Sequence, residues 1–226
     1  MGENTIFVRK YEPDDERLVV NEREIWRYSG YFGMTDEVDE ELQRLLMQVR
    51  RQLSKELSYK VCYRRMPIEQ LPFLEHSENL QKCLKGSTEV ILFAATIGME
   101  LDRHILRVQR LAPTQALLMQ AYGAERVECL CDVFCREISE LATKEGLSCT
   151  ARFSPGYGDL SLETQKEVFA LLDCNRQIGI SLNESLLMTP SKSVTAVFGL
   201  GACLGEKSDS KCIACGKDNC EYRRQS

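Results

Sequence analysis

Hydrophobic residues recur along the chain with two different periods, which predict a mixture of helices and strands. Between residues 36 and 57, apolar side chains return every three or four positions, as in an amphipathic helix. Tyr59 to Met66 begins instead with the alternation that is typical of a strand. Thr88 to Ile97 is a nearly continuous apolar run that ends at Gly98, and such a run predicts a strand covered on both faces.

A longer helical pattern begins at Pro113 and ends before Gly146, a residue suited to the left-handed position that follows a helix. One carboxylate interrupts its predicted apolar stripe, which consists of Leu117, Ala121, Ala124, Glu128, Cys131, Cys135, Ile138 and Ala142. Because an unpaired glutamate is rarely buried, Glu128 either lies at the edge of the stripe or meets a polar partner.

The next segment changes pattern three times within a short stretch. Residues 147–153 alternate between apolar and polar and predict a strand with Arg152 on its polar face. Ser154 to Gly158 contains one proline and two glycines, so the chain must turn sharply there. Ser161 is placed to cap a helix that reaches about Leu172.

Two strand-like segments near the C-terminus, residues 184–189 and 194–198, flank Pro190–Ser193 and predict a hairpin. Strands and helices are interleaved, and several strand neighbours lie close together in the sequence. The predicted fold class is therefore α+β, with a twisted mixed or antiparallel sheet flanked by helices. We expect one domain over residues 1–200 and a cysteine-containing tail over residues 201–226.

Composition narrows the classes of function. The 226 residues carry a net charge of −5, whereas nucleic-acid-binding proteins usually have a basic balance or a basic face. The longest apolar stretch, Val90 to Met99, has ten residues, and a transmembrane helix needs about twenty. The N-terminus has no apolar run after a basic start, so it is not a secretory signal. We expect a cytoplasmic protein without nucleic-acid or membrane partners.

Common catalytic motifs are missing from the sequence. The two histidines, His76 and His104, are too far apart for a zinc site of the HExxH type. The sequence contains no GxxxxGK[ST] phosphate loop and no GxSxG nucleophile motif. We therefore assign no catalytic residue.

The segment from Arg152 to Tyr157 offers groups that suit ligand binding. Arg152 presents a planar guanidinium that matches a carboxylate, although a strand-end arginine is more often a plain surface charge. Gly156 allows a ligand to approach the backbone closely. Tyr157 adds a flat aromatic face and a hydroxyl, which suit a purine or a sulfonium.

Three sequence blocks resemble the activation domain of cobalamin-dependent methionine synthase. The motif RxxPGY covers Arg152 to Tyr157, and ESLLMTPSKSVTAVFG covers Glu184 to Gly199. GAERVECL, from Gly123 to Leu130, is similar to the family's helix segment (D/E)R(L/V)xE, whose last glutamate lines the ligand site. Strict alignment places Cys129 at that glutamate and leaves Glu128 one residue early. The resemblance is strongest over residues 88–200.

The resemblance implies that the domain binds S-adenosylmethionine. It assigns Arg152 to the methionine carboxylate and places Gly156 and Tyr157 around the adenosine, with Pro155 in the same ligand-binding motif. Glu128 is assigned to hydrogen-bond the ligand or to balance its cationic centre. The family's N-terminal segment, which supplies an acidic ligand contact, has no counterpart that the sequence reveals.

The resemblance also implies a function. The chain is expected to act in trans, as a reactivation subunit that supports reductive methylation of cob(II)alamin on methionine synthase. The implied partners are the cobalamin-binding module of that enzyme, or of a related corrinoid protein, and an electron donor such as flavodoxin.

Four of the eleven cysteines crowd the C-terminal tail and leave two alternatives open. Cys212, Cys215 and Cys220 form C-x2-C-x4-C, and Cys203 is a candidate fourth ligand. Sulfur sets of this kind suit Zn²⁺ or an iron–sulfur cluster. The chain could then be a redox activator of a corrinoid methyltransferase with a metal–sulfur centre, or a zinc- or thiol-based interaction module.

Overall fold

The computed structural model describes residues 5–31 and 39–202. The strands in chain order are β1 (Phe7–Tyr11), β2 (Tyr59–Pro67), β3 (Glu89–Thr96), β4 (Ser148–Cys149), β5 (Ser181–Leu182), β6 (Met188–Thr189) and β7 (Ser193–Gly201). The α-helices are α1 (Glu22–Tyr28), α2 (Glu40–Leu53), α3 (Glu78–Cys83), α4 (Glu100–Val108), α5 (Pro113–Lys144), α6 (Gln165–Leu172) and α7 (Cys174–Ile178).

Five strands form one sheet in the order β1-β2-β3-β7-β4, and every neighbouring pair is antiparallel. Two hydrophobic clusters cover it, one containing residues of α1, α2, α4 and α5 and the other containing residues of α3, α6 and α7. The predicted α+β class, with an antiparallel sheet and flanking helices, is confirmed.

The central strand β3 explains the long apolar run of the sequence. Its residues from Val90 to Thr96 are all buried. Alternate side chains belong to opposite clusters, with Ile91 and Phe93 in the α5 cluster and Val90 and Leu92 in the α6 cluster. Because side chains of a strand alternate between its faces, a sheet covered on both sides requires an apolar residue at almost every position.

Helix α5 packs on one face of the sheet and supplies one wall of the cleft described below. It has 32 residues and begins with Pro113 in its first turn, where a missing N–H is tolerated. The Phe134 ring packs 5.0 Å from that of Phe93, centroid to centroid. A Cβ atom at Gly123 would lie 2.0 Å from Leu101 Cδ2, so glycine allows α4 and α5 to approach closely.

The ends of two helices confirm their predicted signals, whereas one stripe position is wrong. Gly146 has a φ of 73° directly after the C-cap of α5. Ser161 Oγ accepts a hydrogen bond from the Glu163 N–H at 3.2 Å, and a short 3₁₀ turn then leads into α6.

The prediction is wrong for one position of the apolar stripe of α5, because Leu117 is 49 % exposed. The neighbouring Leu118 is buried instead, because at the start of α5 the face that packs into the core is turned by one position from the predicted stripe.

The predicted hairpin around Pro190–Ser193 is wrong. Strand β6 pairs with β5, whereas β7 continues into the main sheet between β3 and β4. The pairing with β3 extends from Ser193 to Leu200, and all but one of these β7 residues are buried. Residues 184–187 are exposed or half-exposed, so a hairpin with them would leave the apolar face of β7 without a cover.

The predicted strand over residues 147–153 is shorter than expected. Regular pairing is limited to Ser148 and Cys149, followed by a single bridge between Phe153 and Val197. The reason lies at Thr150, whose Oγ1 accepts the Gly199 N–H at 2.9 Å in place of a backbone carbonyl. A side chain that takes over a ladder hydrogen bond interrupts the regular pairing of the backbones.

Candidate functional site

A cleft of about 740 Å³ separates the N-terminal residues 17–28 from the middle of α5. Its volume is within the usual range of small-molecule sites, roughly 300 to 1,000 Å³. Carboxylates outnumber arginines along its walls, with Glu22, Glu24, Glu125, Glu128 and Asp132 against Arg17, Arg23 and Arg136. Arginines behind the walls pair with most of these acids, Arg27 with Glu24, Arg126 with Glu125 and Arg152 with Glu128 and Asp132, so the cleft combines both signs of charge.

A buried ion pair fixes the N-terminal wall of the cleft to α5. Arg126 Nε and Nη2 each donate to the Glu125 carboxylate at 2.6 Å, and the guanidinium also donates to the carbonyls of Leu18 and Val19 at 2.8 Å. Glu125 in turn accepts the Asn21 N–H at 2.9 Å. Burial opposes the charge of Arg126, but the hydrogen bonds that it donates to Glu125 raise its pKa above the ordinary value, so it remains a cation.

No role in the site is predicted from the sequence for this N-terminal segment, yet the structure places two of its acids in the cleft, Glu22 and Glu24. Asn21 was the available signal, because its side chain accepts the Glu24 N–H as an N-cap and thereby marks the start of α1. The Glu125–Arg126 dipeptide was visible in GAERVECL, but its contact with a segment more than 100 residues away was not.

Arg152 contacts two carboxylates of α5. Its Nη2 donates a hydrogen bond to Glu128, and its Nη1 lies 3.0 Å from Asp132 Oδ1. Burial would lower the pKa of Arg152, but the negative charges of Glu128 and Asp132 raise it above the ordinary value, so the side chain is a cation. Glu128 has the polar partner that its position in the stripe required, and it is itself half-buried at the cleft edge.

Two thiols lie near the Arg152 guanidinium. Burial raises the pKa of Cys135 to about 12, although the positive charge of Arg152 lowers it. Burial likewise raises the pKa of Cys131 well above its ordinary value. Both thiols are therefore neutral at physiological pH, and the charge of Arg152 is balanced by the carboxylates rather than by a thiolate.

The turn after Arg152 presents its tip to solvent. Pro155 is buried, Gly156 is exposed with a φ of 88°, and the Tyr157 side chain is 71 % exposed. Asp159 ties this turn to the start of α3, because its carboxylate accepts a hydrogen bond from the Ser77 hydroxyl and another from the Glu78 N–H at 2.8 Å. The Ser77 hydrogen bond holds the pKa of Asp159 below its ordinary value.

The structure thus brings some of the predicted site residues together and leaves others apart. Glu128 lines the cleft, and Arg152 adjoins it through its contacts with Glu128 and Asp132. Residues 155–157 follow Arg152 directly in the chain but do not line the cleft. Asp132 is a member of the cluster that no sequence pattern marks.

The predicted metal site lies outside the described residues, because Cys203, Cys212, Cys215 and Cys220 all do. Among residues 5–31 and 39–202, no group of histidine, cysteine or acidic side chains is arranged to hold a metal ion. The redox-activator and zinc-module alternatives therefore stay predictions. Within the same ranges, no helix combines the length and the hydrophobicity that crossing a bilayer requires.

Comparison with known proteins gives a family and a fold neighbour. Residues 84–221 match the family model described as vitamin B12 dependent methionine synthase, activation domain. A solved structure, the MetH reactivation domain bound to AdoHcy, superposes with a TM-score of 0.60 at 16 % sequence identity and covers 86 % of this chain and 78 % of its own. No curated protein sequence matches the chain. The chain belongs to the activation-domain family of vitamin B12 dependent methionine synthase.

Proposed function

We propose that this chain binds S-adenosylmethionine and acts in trans to reactivate cobalamin-dependent methionine synthase. Its family membership supports the cobalamin context, and its fold neighbour is described as bound to AdoHcy. The observation that carries the ligand assignment is Arg152, a cation set between two carboxylates at the edge of an acid-rich cleft. An arginine flanked by carboxylates suits the opposite charges of an amino acid.

The site residues then take the roles that the family resemblance implies. Arg152 would bind the methionine carboxylate through its planar guanidinium. Glu128, on the cleft wall, would balance the sulfonium centre. Gly156 and Tyr157 would contact the adenosine, because the first leaves the backbone accessible and the second exposes a flat ring five residues after Arg152. Pro155 is buried and would hold this turn in place.

The chemistry belongs to the cofactors rather than to a side chain of this protein. S-adenosylmethionine supplies the methyl group, one electron reduces cob(II)alamin on the partner, and the products are methylcobalamin and S-adenosylhomocysteine. The protein's part is to bind and orient the methyl donor against the partner's cobalamin-binding module. We further propose flavodoxin as a suitable electron donor. None of the seven cysteines in the described ranges forms a disulfide, which supports a cytoplasmic location.

Calorimetric titration with S-adenosylmethionine tests the ligand. We expect saturable binding by the wild-type protein and a loss of affinity of about a hundredfold or more in Arg152→Ala, because the ligand carboxylate would lose a charged bidentate partner. Arg107→Ala is the matched control, since Arg107 is exposed on α4 and does not line the cleft. Equal affinity of the two variants would contradict the proposed site.

Reconstitution tests the action in trans. The chain is mixed with the cobalamin-binding module of methionine synthase in the cob(II)alamin state, reduced flavodoxin and S-adenosylmethionine, and methylcobalamin is followed by its absorbance. We expect methylcobalamin to accumulate with the wild-type chain and not with Arg152→Ala. Accumulation at the same rate without the chain would contradict the proposed role.

A further inference from the structure

The two carboxylates that flank Arg152 are not equivalent. Glu128 accepts a hydrogen bond from Nη2, and its side chain is 32 % exposed. Asp132 lies 3.0 Å from Nη1 and is 51 % exposed, but the geometry does not meet that of a hydrogen bond. Nη1 is nevertheless buried, so one donor of the guanidinium is without a hydrogen-bond acceptor.

A ligand that supplies an acceptor to the buried Nη1 of Arg152 would bind more tightly, because it would remove an unsatisfied hydrogen-bond donor. A buried N–H without an acceptor costs free energy, and that cost is larger for a charged group. A carboxylate that binds Arg152 from the cleft would supply the missing acceptor. To admit it, one flanking acid must move, and Asp132 has the poorer contact and the greater exposure of the two.

An α-amino acid brings its ammonium group to the same place. The ammonium is attached one carbon away from the carboxylate, so binding of that carboxylate at Arg152 carries the ammonium to the acids beside it. Glu128 is already the hydrogen-bond acceptor of Nη2, whereas Asp132 lines the cleft one helical turn later and lies beside Nη1, which has no hydrogen-bond acceptor. Asp132 is therefore the better-placed acceptor for the ammonium.

We propose that Asp132 is the ammonium-binding residue of the site and makes it selective for ligands with an α-amino-acid moiety. This inference rests on the proposed function, since it requires an adenosyl amino acid in the cleft. Arg152 binds the carboxylate of the ligand, Glu128 positions Arg152 from one side, and Asp132 exchanges its contact with Nη1 for one with the ammonium.

The test compares two ligands that differ only in the amino group. They are S-adenosylhomocysteine and its deamino analogue, 5′-deoxy-5′-(3-carboxypropylthio)adenosine, and both are titrated calorimetrically into the wild-type protein and Asp132→Asn. Both ligands carry the carboxylate, so any competition between Asp132 and the ligand for Arg152 cancels in the ratio of their dissociation constants. That ratio isolates the ammonium contact, as in a double-mutant cycle. Thermal unfolding of each variant establishes that it is folded.

We expect the wild-type protein to favour S-adenosylhomocysteine by about tenfold or more, the effect of one charged hydrogen bond. Asp132→Asn should reduce this preference to roughly twofold. Glu140→Gln, an exposed carboxylate further along α5 and outside the cleft, should leave it unchanged.

Two other results have distinct meanings. If the preference for S-adenosylhomocysteine survives in Asp132→Asn, the assignment of Asp132 is overturned while the proposed function stands. Loss of the preference in Glu128→Gln in that case would assign the ammonium contact to Glu128. If the wild-type protein binds neither S-adenosylhomocysteine nor S-adenosylmethionine, the proposed function fails and this inference fails with it.

Discussion

Helix α5 contributes the carboxylates of two arginine–carboxylate clusters, which share their chemistry and differ in exposure to solvent. In the first, the side chains of Arg126 and Glu125 are 2 % and 4 % exposed. In the second, the side chains of Arg152, Glu128 and Asp132 are 20 %, 32 % and 51 % exposed. The comparison shows that the presence of an ion pair beside a cleft does not identify the ligand site. The two clusters differ in the exposure of their side chains and in whether every buried N–H of the arginine has a hydrogen-bond acceptor.

The hydrogen bonds of the two arginines indicate different roles for the two clusters. Arg126 directs its hydrogen bonds to Glu125 and to the carbonyls of Leu18 and Val19, so it holds the chain together and offers little to a ligand. Arg152 has one buried nitrogen, Nη1, without an aligned hydrogen-bond acceptor, and this nitrogen contacts the half-exposed Asp132. The first cluster builds the wall of the cleft, and the second is suited to bind what enters it.

The largest effect is expected from breaking the buried cluster. Arg126→Met should lower the free energy of unfolding by about 3 to 5 kcal/mol, because Glu125 would remain as a buried charge without its partner. Urea unfolding followed by circular dichroism measures this change. A loss below about 1 kcal/mol would show that water replaces Arg126 easily and that the pair is not a structural clamp.

The same substitution at the other cluster should cost much less stability. Arg152→Met leaves Glu128 and Asp132 with access to water, so we expect a loss of about 1 kcal/mol or less in the same urea experiment. A loss as large as that of Arg126→Met would remove the contrast between the clusters, and the reduced ligand binding of Arg152 variants would then have to be attributed to unfolding.

A third test concerns Asp159, an exposed carboxylate that is expected to stabilise the fold and not to bind a ligand. Asp159→Asn should destabilise the protein at neutral pH, because the carboxylate accepts hydrogen bonds from Ser77 and from the first turn of α3. The pKa of Asp159 is lowered on folding, so its contribution is present above the ordinary value of 3.8 and disappears as the pH falls through the folded value.

Melting temperatures of the two proteins between pH 7 and pH 2.5 check this prediction. The difference between wild type and Asp159→Asn should be largest near neutral pH and should shrink below about pH 4. A difference that is constant over the whole range would contradict the charge-dependent anchor.

The smallest effect concerns the thiols beside Arg152. With a pKa of about 12 caused by burial, Cys135 should react slowly with iodoacetamide at pH 8, since only the thiolate is nucleophilic. Peptide mass spectrometry compares its labelling with that of Cys83, which is partly exposed at the end of α3. Faster labelling of Cys135 than of Cys83 would indicate that the Arg152 cluster opens readily to solvent.

Local pattern in the sequence was sufficient for the elements whose burial depends on their own residues. The apolar run at Thr88 to Ile97 predicts β3, because a strand covered on both faces leaves few polar positions. Pro113 and Gly146 mark the limits of α5 through the backbone conformations that they favour. The sequence also singled out two residues of the Arg152 cluster, since RxxPGY points to Arg152 and the interrupted stripe points to Glu128, and the structure places the two in contact.

The tertiary structure alone decided which distant segments meet. Strand β7 leaves its predicted hairpin partner for β3, about 100 residues away in sequence, because the sheet interior buries its apolar residues on both faces. Asp132 joins the site through Arg152, and Asn21 closes the opposite wall through Glu125, 104 positions away. Such contacts depend on how whole elements pack, and the periodicity of a single segment carries no record of them.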